Sequence, residues 1–328
     1  MKTSIKSVLA AAALSAATLA TSPAFAEKWN MPVRSNERNY MTQNIIEFAN
    51  EVKKASAGKL DIVIHPEDSL TKQPEVKRAV QTGQVQIGEL LVSMHSNEWP
   101  IFGVEAVPFL AAKITDNQKL LNAVRPLIEE RLKKQGMRLL FVTPWPPQSF
   151  YAGKEINSTA DFKGVKFRAY NPVTGRLAEL MGATPVTVQQ SEVPQAFSTG
   201  VIQAMITSPA TGVDTQAWDF VKNYYPVSAM TPWNIVIVND RAFSRLDKKT
   251  QDAVLAAAKT AETRGFKMQE EATSKLEDTL KSKGMAIKQP SPQFMAELQK
   301  IGDQLIAEWA KAAGEDGKKV LDAYRKGN

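Results

Sequence analysis

Helical spacing and alternation divide most of the chain into amphipathic helices and strands. Ile45, Ile46, Phe48, Ala49 and Val52 fall on one helical face, with Glu47, Glu51, Lys53 and Lys54 elsewhere, and Gly58 stops that helix. Leu60 to His65 alternates and predicts a strand ended by Pro66. A short helix over Pro74 to Thr82 stops at Gly83, and an apolar strand follows over Val85 to Leu91. A third helix over Asp116 to Gly136 turns Leu120, Leu121, Val124, Leu127, Ile128 and Leu132 inward, and Met137 to Thr143 is the next strand. Strand and helix alternating in this way predict an α/β domain.

Pro144, Pro146 and Pro147 around Trp145 interrupt the pattern and make a stiff connector, where the first crossing between two domains is expected. A second α/β set follows. It comprises a strand at Lys166 to Ala169, a helix at Val173 to Met181 and a strand at Thr184 to Val188. Next come a helix at Ser191 to Thr199, with Ser191 as its cap, and a buried strand at Val201 to Ile206. Trp233 to Asn239 is an apolar strand expected to return to the first domain. Asp247 to Lys283 has no proline, and Gly265 is its one glycine. As one helix it would run on the order of 50 Å, long enough to brace two lobes; the alternative is two helices broken near Gly265. A last helix is expected near Gln293 to Ala312. The predicted division is 27–144 plus about 234–270 for lobe I, and 145–233 plus about 271–328 for lobe II.

The first residues carry a different signal. Lys2 and Lys6 precede an apolar run from Val8 to Ala20, and Ala24 and Ala26 then sit in the Ala-x-Ala pattern of a secretory signal cleaved before Glu27. The run is shorter than the roughly 20 apolar residues that span a bilayer. The expected location is therefore the periplasm, as a soluble mature protein. Cysteine is absent from the 328 residues, which removes thiol catalysis and thiolate metal sites, and the two histidines, His65 and His95, lack metal-ligand spacing. No cofactor or metal is expected. The net charge of +7 is spread along the chain, unlike a nucleic-acid footprint, and favours small anions.

The block from Asp161 through Lys163-Gly164, Phe167-Arg168 and Asn171, then Gly182-Ala-Thr-Pro185, Ser191-Glu192-Val193 and Gly200-Val-Ile202, resembles the substrate-binding subunit of tripartite ATP-independent periplasmic (TRAP) transporters. Glu51-Val52, Gly58-Lys59, Gly83 and Pro108-Phe109 extend the resemblance to nearly the whole mature chain. It implies a periplasmic-binding-protein-like α/β fold of two lobes around a cleft, joined by crossing strands and a long shared helix, and closing by a hinge. It also implies that Arg168 binds the ligand's carboxylate, for which a guanidinium fork is suited. Asn171 either donates to the same ligand or is a turn residue before Pro172. Thr207 and Ser208 offer hydroxyls past a buried strand, or cap the segment at Pro209. Trp145 and Trp233, at the two crossings, wall the cleft or pack in the core, and Phe150 is a further candidate beside the connector. Glu89 meets a polar group of the ligand or forms an inter-lobe salt bridge.

Two departures narrow the reading. The family's second basic residue after the tryptophan at 145 is missing, since no Arg lies between Leu139 and Phe167. A buried carboxylate left unpaired is costly, which points to a monocarboxylate with an apolar, aromatic or hydroxylated body. The family's Asp-Gly after Val-Ile is here Gln203-Ala204, and the acidic residue after it is Ile206. The expected function is capture of a small organic acid by a monomer and its delivery to membrane permease subunits. A ligand-reporting partner of a membrane sensor is an alternative. A secreted hydrolase is a weaker one, because no Gly-x-Ser-x-Gly elbow, His-Glu-x-x-His or Cys nucleophile is present.

Overall fold

A computed structural model describes residues 26–326; the predicted signal segment lies outside the described residues up to its last position, Ala26. Lobe I opens with β1 (Glu27–Pro32), α1 (Tyr40–Ala55) and β2 (Leu60–His65), the two strands pairing in parallel. It continues with α2 (Gln73–Thr82), β3 (Ile87–Leu91), two 3-10 turns at Val92–His95 and Pro100–Ala106, α3 (Ile114–Lys134) and β4 (Met137–Pro144). Lobe II is built on β5 (Ser149–Ala152), β6 (Lys166–Ala169), α4 (Pro172–Leu180), β7 (Thr184–Thr187), α5 (Val193–Ser198), β8 (Ala204–Thr207), α6 (Pro209–Asp214) and β9 (Asn223–Tyr225).

The chain then returns. β10 (Trp233–Asn239) enters between β3 and β4, antiparallel to both, so the apolar strand expected to go back to lobe I becomes the centre of its sheet. After α7 (Asp240–Arg245), α8 runs unbroken over Lys248–Ser282. Gly265 does not break it. A Cβ there would lie 3.0 Å from both Asn44 Nδ2 and Thr143, so glycine permits close approach of α8 to α1 and β4. β11 (Ala286–Ile287) adds to the far edge of the lobe II sheet, whose order is β11-β9-β5-β8-β6-β7.

The last helix, α9 (Pro292–Lys326), runs well past Ala312, turning at Gly314, where φ is 55° and ψ −133°. Its first turns put Phe294 against Phe150 and Phe162 of lobe II. Its later turns bond lobe I, through Trp309 Nε1 to Pro100 O at 2.8 Å and Tyr324 Oη to Leu110 O at 3.2 Å. Two long helices therefore brace the lobes. Ser191 does not cap α5; it lies in a 3-10 turn, Gln190–Glu192, boxed by Gln189 and Glu192. The strand expected from Val201 starts at Ala204, because Gly200 and Val201 still belong to the turn that ends α5. Among the described residues no helix is long and apolar enough to cross a membrane.

Candidate ligand-binding cleft

The connectors bring two strand ends face to face. β6 carries Arg168 on the lobe II side. On the lobe I side the segment just after β1 carries Arg34. Arg168 has no solvent exposure, and its Nε donates to Val188 O at 3.0 Å. Among the described residues Nη1 and Nη2 meet no protein acceptor. The guanidinium carbon stands 5.3 Å from the Tyr170 ring centroid, a cation–π contact that holds the plane without using the outer N–H groups. Burial, and after it the nearby Arg34, lower its pKa to about 9. A buried cation with two free donor nitrogens calls for an anion brought from outside.

Arg34 is similarly buried, and its Nε is also without a partner. Its guanidinium lies 5.8 Å from the Trp145 ring centroid. Burial lowers its pKa, while Asp68 and Glu89 oppose that shift. Arg34, Leu91, Trp145, Gln148, Tyr170, Thr207, Thr211 and Pro232 line a small cavity between the lobes. The Trp145 indole is oriented by Asn234 Oδ1 at 2.8 Å, and Tyr170 Oη donates to Gln148 Oε1 at 3.1 Å.

Of the residues singled out from sequence, Trp145 and Thr207 line this cavity, and Arg168 lies directly behind Tyr170. Asn171 does two jobs within the protein. Its Oδ1 caps α4 at Thr174 N, 2.8 Å, and its Nδ2 crosses to lobe I to donate to Ser93 Oγ at 2.9 Å. Ser208 caps α6 through Thr211 N at 3.1 Å. Three candidates point elsewhere. Trp233 is fully buried within lobe I and donates to Asn117 Oδ1 at 2.5 Å. Phe150 sits in an aromatic cluster with Phe162, Phe167 and Phe294. Glu89 makes no inter-lobe salt bridge among the described residues; it accepts from Arg34 N at 3.0 Å and from Asn234 Nδ2, fixing the Arg34 segment from below. Burial raises the Glu89 pKa.

Arg34, Gln148, Tyr170 and Thr211 were not singled out from sequence. Gln148 occupies the loop where the family's second basic residue is absent, and the second cation comes from lobe I instead. A second buried cation stands near Arg168 all the same: Arg34 is close enough to lower its pKa. Arg34 is, however, already countered by Glu89 and Asp68. No local pattern singles out Arg34, which lies two residues past the end of β1. The lobes are held together beside this cavity by Asn39 Nδ2 to Asp214 Oδ2 at 2.7 Å and Gln190 Nε2 to Ser35 Oγ at 3.5 Å.

Two lobes joined by crossing strands, closed over a small cavity with a donor-rich buried arginine, define a solute receptor. A family model described as bacterial extracellular solute-binding protein, family 7, matches residues 33–312. DctP7 of Bordetella pertussis, an extracytoplasmic solute receptor whose crystal structure is described as binding pyroglutamic acid, is 51% identical with a TM-score of 0.90, over 92% of this chain and 100% of that one. A marine-metagenome TRAP solute-binding protein specific for pyroglutamate, in complex with the co-purified compound, is 38% identical with a TM-score of 0.90, over 92% and 99%. A solute-binding protein of Roseobacter denitrificans is 26% identical over 84% of this chain and 86% of its own length. The chain belongs to the family 7 bacterial extracellular solute-binding proteins.

Proposed function

We propose that this receptor captures pyroglutamate, a small cyclic monocarboxylate, in the cleft between its lobes and passes it to the membrane subunits of a TRAP transporter. Arg168 takes the carboxylate on its two outer nitrogens. That one buried guanidinium, bonded to protein only through Nε, is the observation that carries the reading. Trp145, Tyr170 and Thr207 enclose the ring, and Gln148 stands where a second cation would favour a dicarboxylate. Arg34 adds to the positive field at Arg168, which disfavours an amino acid with a free ammonium and favours a neutral lactam. The likeness to two pyroglutamate-binding receptors, at 51% and 38% identity, supports the same ligand.

The finer features belong to the same proposal. The protein is a monomer without catalytic activity, divided at residues 144–145 and 233–234 into the two lobes, with the later turns of α9 resting on lobe I. It works in the periplasm, cleaved after Ala26; β1 begins at Glu27, so that cut leaves the strand whole.

A thermal-shift panel tests the ligand. Pyroglutamate at about 100 times its dissociation constant should stabilise the mature protein by roughly 2.7 kcal/mol. Proline, glutamate, succinate and neutral sugars should shift it far less, and Arg168→Ala should remove the pyroglutamate shift. A shift with a neutral sugar, or an undiminished shift in the Arg168 variant, would sink the assignment.

A further inference from the structure

Arg34 is 6% exposed, and its Nε is buried without a partner. No hydrogen bond or salt bridge reaches its guanidinium among the described residues, although Arg34 lines the cavity between the lobes and its guanidinium carbon lies 5.8 Å from the Trp145 ring centroid. Its place is fixed from lobe I. Glu89 Oε2 accepts from the Arg34 backbone N–H at 3.0 Å, the same carboxyl accepts from Asn234 Nδ2, and Asn234 Oδ1 accepts from Trp145 Nε1 at 2.8 Å. One chain of hydrogen bonds thus sets both the arginine and the indole it lies over. A buried guanidinium held in place with donors unspent needs an acceptor.

We propose that Arg34 is the specificity-determining residue for the end of the ligand remote from its carboxylate: it donates to an uncharged acceptor, the ring carbonyl of pyroglutamate. The inference rests on Arg168 being the carboxylate partner. Charge decides the kind of acceptor. Glu89 bonds the Arg34 backbone, and the Asp68 N–H donates to Val33 O at 3.2 Å, so two acids stand at this arginine. Both counter its charge, whereas the largest charge effect on Arg168 is that of Arg34 itself. Arg168 therefore has an anion to gain, and Arg34 offers N–H groups where the charge is already balanced. A second carboxylate there would stand beside Glu89 and Asp68, and a carbonyl dipole brings no such repulsion.

The two donors come from different lobes. Arg168 stands on β6 of lobe II, and Arg34 follows β1 of lobe I. In pyroglutamate the carbon that bears the carboxylate and the carbonyl carbon flank the ring N–H. One rigid ligand thus spends donors of both lobes, with no rotatable bond in the ring path between the two carbons. A cyclic acid without the carbonyl satisfies Arg168 alone. It leaves the Arg34 donors buried and unpaired, which costs about 1–3 kcal/mol. A pocket built to hydrogen-bond a polar group rejects an analogue that lacks the group for this reason.

The test compares two acids that differ only in the carbonyl, 3-oxocyclopentane-1-carboxylate and cyclopentanecarboxylate, alongside pyroglutamate. Affinities are measured by calorimetry at neutral pH for wild type, Arg34→Met, Arg34→Gln and Arg168→Met. Wild type should bind the ketone about 10- to 100-fold more tightly than the plain ring, the size of one hydrogen bond to a charged donor. In Arg34→Met that ratio should fall below about threefold. A residue that merely supports the cavity would weaken both acids alike, so a wild-type ratio kept in Arg34→Met overturns the inference. A wild type with no preference for the ketone overturns it equally. If Arg34→Met does not fold, Arg34→Gln decides, because its side chain is too short to reach the same place. Arg168→Met should weaken all three acids. Failure of wild type to bind pyroglutamate, or full binding by Arg168→Met, strikes the carboxylate reading instead, so the two failures are told apart.

Discussion

Charge at the single-residue level organises the cleft. Arg168 and Arg34 are both buried with donor nitrogens free, and two acids, Glu89 and Asp68, lie beside Arg34 rather than beside Arg168. The arrangement leaves Arg168 as the cation with a counter-charge to gain. Asp68 bears a cost of its own. It is buried, both oxygens lack partners, and its backbone sits at φ 55°. Burial, opposed by Arg34, raises its pKa to about 6. The folded protein thus holds this proton between roughly pH 4 and 6, where the unfolded chain has released it. Its favourable contribution is complete below about 4 and is lost as pH rises through 6. Asp68→Asn should therefore stabilise the ligand-free protein at pH 7.5, by about 1–2 kcal/mol, and have little effect at pH 4.5. Melts at the two pH values check this; a loss of stability at pH 7.5 would show that the carboxylate is needed by Arg34 more than it is penalised by burial.

Arg168 is legible in the amino-acid sequence alone, because its strand, the Lys163-Gly164 turn ahead of it and Asn171 after it form a recognisable block. Arg34 is not. Its burial depends on Glu89, 55 residues away, and on Asp68 across a turn, and no local pattern encodes either contact. The same distance effect hides the true places of Trp233 and Phe150. Both sit beside the crossings in sequence, yet Asn117 and Phe294 claim them for the two cores.

Among the elements, long-period signals are the most faithful. α8 is visible as one helix because nothing but Gly265 interrupts it, and the fold uses that glycine for contact rather than for a break. Short strands such as β5 and β9 escape notice, since four and three residues give too little alternation to stand out from turns. α6 shows how tightly an element of this size can be set. A Cβ at Gly212 would fall 2.2 Å from Tyr151 Oη, and that hydroxyl itself donates to Ser208 O at 3.1 Å. Gly212→Ala should push α6, with Thr211, off the β5 face. Chemical denaturation should show a loss of about 1–3 kcal/mol, with weaker ligand binding alongside. Unchanged stability would mean that Tyr151 swings aside without cost.

Across the whole molecule, the two lobes are ordinary α/β units, and what makes them a receptor is the way they are joined. β10 returns through the middle of the lobe I sheet, and α8 and α9 span both lobes. Polar contacts such as Asn171 to Ser93 and Asn39 to Asp214 fasten the lobes around the cavity. Such contacts are individually worth about 1 kcal/mol, weak enough to open and strong enough to favour closure once Arg168 has its counter-ion. On the proposed reading, ligand capture and lobe closure are one equilibrium, with Arg168 as its electrostatic centre.

That claim is tested most directly by isothermal titration of the mature protein, from Glu27, with pyroglutamate, repeated with Arg168→Met. The account predicts one binding site in the wild type. In the variant it predicts a loss of about 2–5 kcal/mol of affinity without loss of ligand-free stability, because the substitution removes a buried, uncompensated charge. Absence of binding to the wild type, or comparable affinity in a folded Arg168→Met protein, would contradict it.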